Sequence, residues 1–443
     1  MRKKSNRINK TLFRAANLLL CIAMLFAFTA CGSGKSPEPA PKETARPVVT
    51  ATPQPTATPF PTATPEATAE PTAGPTSEPL DESDPIVRYM QTMTLREKVG
   101  QLFIIRPDAL DLTLAAGDIN SSSVEGVKTL TPALREVLVN YPVGGFAIFS
   151  KNITDPASLK AFTAELTDAV SVPAFISVDE EGGSVARLAS NPAFILPKYE
   201  SAMAVGSTGD TAQAESMGRT IGAYLSEYGF SMDFAPVADV FTNPQNTVIG
   251  RRAFSTDAYT AAAMAGACAA GLTSQGIIPV YKHFPGHGDT AEDSHQGLAV
   301  TYKTHDELAA CEWIPYSTND LTGCAVMVAH VAAPNVTGTS TPSSLSYEMI
   351  TGYLRGELGF SGLVITDALA MTAITETYSS GEAALAAFNA GADILLMPEY
   401  FTEAFDAILQ AVQTGTISES RLDESVYRIL QYKQMYGIFS VGE

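Results

Sequence analysis

Positive charge is in short supply in this 443-residue sequence: 28 Lys and Arg stand against 47 Asp and Glu, a formal charge of −19. A protein that neutralises phosphates needs a basic face, so a nucleic-acid partner is excluded. Cysteine is scarce as well. The five present, Cys21, Cys31, Cys268, Cys311 and Cys324, match no zinc spacing, and an odd number cannot all pair internally. The last three read as buried free thiols with at most one disulfide among them. Long apolar runs are almost absent: Leu18 to Ala30 is well short of the about 20 residues a spanning helix needs. Histidine is rare too, and three of the five lie in one stretch, "KHFPGHGDTAEDSH", Lys282 to His295.

The apolar run has its own context. Arg2, Lys3, Lys4, Arg7, Lys10 and Arg14 precede it and Cys31 follows it, the layout of a secretory signal over residues 1–30. The segment "AFTAC" resembles the bacterial lipobox, with Phe28 where Leu is usual. The resemblance implies lipidation of Cys31 and a membrane partner through that lipid, hence an extracytoplasmic location; simple secretion with cleavage near Ala30 and an uncleaved anchor are the alternatives. Residues 31–84 are Pro, Thr, Ala and Glu, with near-repeats such as "TATPQPTATPFPTATPEATAEPTAGPT". They lack the aliphatic content that offsets ordering entropy, which predicts an extended disordered tether of polyproline II character.

A folded domain is expected over 85–443. Thr94 followed by Glu97 is a capping-box signature for a helix start. Eight short apolar runs follow, at 101–105, 144–149, 173–179, 231–240, 276–283, 324–330, 362–367 and 393–398, with alanine-rich helical stretches between several of them. Near-continuous apolar strands alternating with helices indicate a parallel sheet covered on both faces, and eight of them over about 350 residues indicate a single (β/α)8 TIM-type barrel. Five of the runs end in chemically capable residues: Asp179, Asp239, Lys282 with His283, His330 and Asp367. Ligands of parallel α/β folds bind at the carboxyl ends of strands, and Asp there also serves as a helix cap.

Within "ISVDEEGGSVARL", Asp179 ends a strand, Gly182 and Gly183 permit a close turn, and Arg187 returns a forked donor. Such a pair suits sugar hydroxyls and equally a structural ion pair. In "VIGRRAFS", Arg251 and Arg252 are expected to divide, one solvated and one inward. The histidine stretch has three readings: a zinc site, an ordinary loop, or a proton-transfer device. Pro285 and Gly286 separate His283 from His287, so the two cannot share a helix face as zinc-binding pairs do, and no metal or other cofactor is expected. His295 follows Asp293 by two residues, close enough for the carboxylate to fix one ring nitrogen and leave the other to exchange protons. Asp367, in "VITDALAM", has no basic neighbour in sequence and suits a nucleophile or electrostatic stabiliser opposite that donor.

"DEEGGSVAR", "GRRAFS", "KHFPGHGDTAEDSH", "AHVAAP" and "ITDALAM", in this order, resemble glycoside hydrolase family 3, and specifically its β-N-acetylglucosaminidase branch. The likeness runs from about Asp84 to Phe439. It implies a carbohydrate substrate containing N-acetylglucosamine, Asp367 as nucleophile, and His295 as general acid/base oriented by Asp293. It further implies Asp179, Arg187, Arg252, Lys282 and His283 as contacts to the terminal sugar. For Lys282 and His283 to face one ligand the strand alternation must break, and Phe284-Pro285-Gly286 is the expected irregularity. His287 and Asp289 are expected to support the loop. Ser184 stands where the family often has Arg, and Ala368 where an acidic residue often follows the nucleophile. A phosphorylase of the same glycosides and a non-catalytic sugar-binding lipoprotein remain as alternatives.

Overall fold

The computed structural model describes residues 80–290 and 297–441. The signal and lipidation expectations fall outside them, as do Asp293, His295 and the tether up to residue 79; residues 80–84, the expected end of the tether, already belong to the folded part, where Asp84 caps Pro85–Met90 and accepts from the Tyr427 hydroxyl at 2.7 Å. Eight parallel strands form one sheet: β1 Phe103–Ile105, β2 Gly145–Ala147, β3 Phe175–Val178, β4 Met232–Asp233, β5 Ile278–Phe284, β6 Ala325–Val328, β7 Val364–Thr366 and β8 Leu395–Leu396. Each falls on one of the eight runs seen in the sequence, β5 extending one residue beyond its own. Each pairs with its neighbours in chain order, and β8 pairs with β1, Phe103 opposite Leu395. The last seam, β7 to β8, has a single bridge, Ile365 opposite Ile394, with the Thr366 N–H 3.0 Å from the Ile394 carbonyl. The sheet is therefore a nearly closed barrel.

Asp393 reinforces that seam. Its buried carboxylate accepts from the Val364 N–H at 3.0 Å, from Arg355 at 2.6 Å, from Arg428 at 2.9 Å and from the Ser425 hydroxyl at 2.6 Å. One charge thus ties the β7/β8 junction to the Glu348–Glu357 and Glu419–Met435 helices, and the arginines hold its carboxyl down at about 2 against burial, which works to raise it.

Residues of β1 to β8 are buried on both faces, which is why they read as continuous apolar runs and not as alternation. The outer layer begins as expected, Thr94 and Glu97 closing a reciprocal cap on Leu95–Gln101. Asp155, Asp210 and Asp257 cap Pro156–Thr167, Thr211–Glu227 and Ala258–Thr273, whose first-turn N–H groups would otherwise lack partners. The last two helices touch through glycine: a Cβ on Gly218 would lie 2.0 Å from the Cys268 carbonyl oxygen, and one on Gly271 would lie 2.2 Å from that of Glu215. Cys268, Cys311 and Cys324 are free thiols, the first and last buried.

Lys433 lies fully buried on the closing helix, its Nζ 2.7 Å from Gln101 Oε1 and 4.9 Å from the centre of the Phe175 ring. Burial pulls its pKa down to about 7. The unfolded chain keeps this amine protonated up to about pH 10.4, so folding between about pH 7 and pH 10.4 releases a proton. The cost of burying the lysine is thus full below about pH 7 and fades as pH rises to about 10.4. Lys433→Met is expected to be more stable than wild type at pH 6 by a few kcal/mol, with the gap closing by pH 10. Denaturation midpoints measured across that range check it; a gap that does not change with pH contradicts it.

Candidate active site

The site grows from the end of β3. Asp179 and Glu181 are two residues apart in extended backbone and so project to the same side. Toward them reaches Lys282 of β5, almost wholly buried. Its Nζ donates to Asp179 Oδ1 at 2.9 Å and stands 2.6 Å from Glu181 Oε1. Arg252, in the loop after β4, grips Glu181 with both arms of its guanidinium, Nε to Oε2 at 2.8 Å and Nη2 to Oε1 at 2.7 Å. Arg187 donates to the other oxygen of Asp179 at 3.1 Å. Burial works to raise both carboxyls, and the surrounding cations outweigh it, so Asp179 and Glu181 lie below the ordinary carboxylate range. Lys282 is displaced upward for the complementary reason: burial works to lower it, and Asp179 and Glu181 overcome that. Arg251 takes the solvated role expected for one of the two arginines, with half its side chain or more in water and Glu200 as partner at 2.5 Å.

Lys282 and His283 both reach the cavity, and the break that permits it lies within β5 itself. The register against β6 shifts between Tyr281 and Phe284, where the Lys282–His283 peptide is cis. Phe284-Pro285-Gly286 was the expected irregularity; Phe284 is instead still paired, opposite Val328. Behind them stands Asp239, one oxygen 2.7 Å from His283 Nδ1 and the other accepting the His287 N–H at 2.7 Å. With Nδ1–H directed at a carboxylate, the neutral ring of His283 keeps an acceptor nitrogen at Nε2. His287 supports its own turn, Nδ1 lying 2.7 Å from the Thr290 hydroxyl, and Asp289 lies 3.3 Å from the Thr301 hydroxyl.

Across the cavity, Asp367 follows β7. Its Oδ1 accepts the Ala368 N–H at 2.7 Å. Burial works to raise this carboxyl and is outweighed by His330, His283, the Ala368 N–H and Lys282, so it is ionised through the neutral range. The cavity between these groups has a volume of about 570 Å³, within the usual range of small-molecule sites. Asp179, Arg187, Arg252, Lys282, His283 and Asp367 all line it. Asp239 does not; it acts through the two histidines.

Two lining groups escaped the reading of the sequence. Glu181 sits in plain view two residues from Asp179, and the strand period of two would have placed it on the same face. Arg106 directly follows β1, as the rule about strand ends predicts, and its guanidinium lies 3.8 Å over the Phe149 ring while donating to Asn120 Oδ1 at 2.9 Å.

Comparison with known proteins agrees with this geometry. The family model described as "Glycosyl hydrolase family 3 N terminal domain" matches residues 94–432. Beta-hexosaminidase LpqI of Mycobacterium tuberculosis is 38% identical over 322 residues, 70% of this chain and 80% of that protein. Beta-hexosaminidase A of Pseudoalteromonas piscicida is 30% identical over 374 residues, 77% of this chain and 61% of that one. Among solved structures, a glycoside hydrolase family 3 beta-N-acetylglucosaminidase from Paenibacillus sp. str. FPU-7 superposes with a TM-score of 0.71 at 36% identity, over 80% of this chain and 64% of that one. The chain thus spans somewhat under two thirds of two of these three relatives.

Glu181 is the shared partner of two buried cations. Its removal in Glu181→Ala is expected to cost about 3–5 kcal/mol of stability, because Lys282 and Arg252 are left under-compensated. Chemical denaturation checks this; an unchanged midpoint contradicts the clamp.

Proposed function

The chain belongs to glycosyl hydrolase family 3, and on that premise we propose that it is a retaining exo-β-N-acetylglucosaminidase acting on N-acetylglucosamine-terminated glycans such as peptidoglycan fragments or chito-oligosaccharides. The observation that carries this reading is an ionised carboxylate, Asp367, on the wall of a 570 Å³ cavity whose facing wall presents Asp179, Arg187 and Lys282. In the first step Asp367 bonds to the anomeric carbon as the glycosidic bond breaks, and His295, oriented by Asp293, gives its proton to the departing oxygen. In the second step the same histidine takes a proton from water, which displaces Asp367 and releases the sugar. The roles of His295 and Asp293 rest on the sequence motif. Asp179, Arg187, Arg252, Lys282 and His283 hold the sugar's hydroxyl and N-acetyl groups, and their mutual ion pairs keep them in place before it arrives.

The same reading gives residues 1–30 as a signal peptide, Cys31 as the lipidated residue, 31–84 as the tether and 85–443 as the catalytic domain of an extracytoplasmic lipoprotein. It is supported by the basic stretch before Leu18, the short apolar run and the small residues before Cys31.

The purified protein is expected to release 4-nitrophenol from the aryl N-acetyl-β-glucosaminide, and Asp367→Ala to fall to the assay background. Equal rates for the two would sink the assignment. A second reading, a phosphorylase, is favoured by the use of a histidine, which when neutral repels phosphate less than a carboxylate does. The product decides between them: free N-acetylglucosamine in phosphate buffer supports hydrolysis, and the sugar 1-phosphate supports phosphorolysis. Binding of the sugar with no turnover would leave only a sugar-binding protein.

A further inference from the structure

We propose that His330, buried behind the cavity wall at the end of β6, is a positioning residue for the Asp367 carboxylate and acts through the carbonyl of Ala368. The proposal rests on the reading of Asp367 as nucleophile. His330 is fully buried and is not part of the cavity lining, so it does not touch the sugar. Its Nε2 lies 2.9 Å from the Ala368 carbonyl oxygen and its Nδ1 lies 2.7 Å from the Ser344 hydroxyl. A carbonyl oxygen only accepts, so Nε2 carries the proton, and in the neutral ring the serine hydroxyl donates to Nδ1. Ser344 is itself fixed just beyond β6, its N–H donating to the Ala329 carbonyl at 3.1 Å. The ring is therefore held at both nitrogens, at Nδ1 by Ser344 and at Nε2 by the carbonyl of the residue that follows the nucleophile.

Beyond Asp367 the β7 ladder ends. The Asp367 N–H donates to the Val328 carbonyl at 2.8 Å, and Leu369 and Ala370 donate to the carbonyls of Leu396 and Met397 on the other side, at 2.9 and 3.0 Å. Ala368 lies between these anchors. Its N–H selects Oδ1 of the carboxylate, and among the described residues Oδ2 accepts no hydrogen bond, which leaves that oxygen to meet the anomeric carbon. The Ala368 carbonyl shares its peptide plane with the Leu369 N–H and is joined to the Ala368 N–H through the Ala368 Cα, so releasing the carbonyl from His330 would let that Cα shift and draw the N–H off Oδ1. His330 holds that residue in place.

The test compares kcat and KM on the aryl glycoside for wild type, His330→Leu, His330→Gln, Ser344→Ala and Asp367→Ala. Misaiming a reacting group by about 1 Å costs on the order of 100-fold, so His330→Leu is expected to lose about that in kcat with KM within about twofold. His330→Gln, whose amide N–H replaces the Nε2 donor, recovers most of the loss. Ser344→Ala frees the ring and lowers kcat in the same direction by less. Wild-type kcat in His330→Leu overturns the proposal, as does failure of Gln to do better than Leu. If the leucine variant does not fold, unchanged kcat in Ser344→Ala overturns it. Should Asp367→Ala remain active, the nucleophile assignment itself falls. An inactive Asp367→Ala beside a fully active His330→Leu sinks only the positioning role.

Discussion

Lys282 is a buried cation shared by two carboxylates, and the cationic side of the cavity depends on that arrangement. An isolated ammonium at this depth would lose its proton or unfold its surroundings. Asp179 and Glu181 prevent both. Because Glu181 also takes the forked grip of Arg252, and Asp179 a single bond from Arg187, one set of ion pairs fixes the end of β3, the loop after β4 and the break in β5 relative to each other. These charges are fully desolvated only in the presence of their partners, so they specify geometry more than they add stability.

The two sides of the cavity are organised differently. On one, positive side chains are neutralised by carboxylates and arrive already oriented, which is what a site needs if it is to hold a polyhydroxyl ligand without rearranging. On the other, Asp367 has no direct ion pair among the described residues: it is stabilised at a distance by His330, His283 and Lys282 and by one backbone N–H. A carboxylate kept ionised without being consumed by a salt bridge is suited to attack.

Much of this was legible in the sequence because a parallel barrel buries its strands on both faces, and continuous apolar runs announce such strands. All eight runs coincide with observed strands, β5 passing the end of its run by one residue, and the strand-end rule pointed to five of the polar groups, from Asp179 to Asp367. The observed strands are shorter than the runs because the hydrogen-bond ladder stops where the chain turns outward, while side-chain burial continues. The register shift at Lys282 left no trace in the sequence, since it depends on how β5 meets β6. Glu181 was hidden by its neighbours in "DEEGG": three adjacent acids do not say which one turns inward until the backbone is known to be extended there. Lys433 could have been noticed, because Leu422, Val426, Ile429 and Lys433 lie on one helical stripe, and a lysine on an apolar stripe is either buried or misassigned.

A nucleophilic Asp367 must form a bond to the sugar during turnover. Incubation with a 5-fluoro N-acetylglucosaminyl fluoride, which slows the second step, followed by proteolysis and peptide mass spectrometry, looks for that bond directly. One sugar adduct is expected, on the peptide containing Asp367; an adduct on another carboxylate, or turnover without any adduct, would rule Asp367 out as the nucleophile.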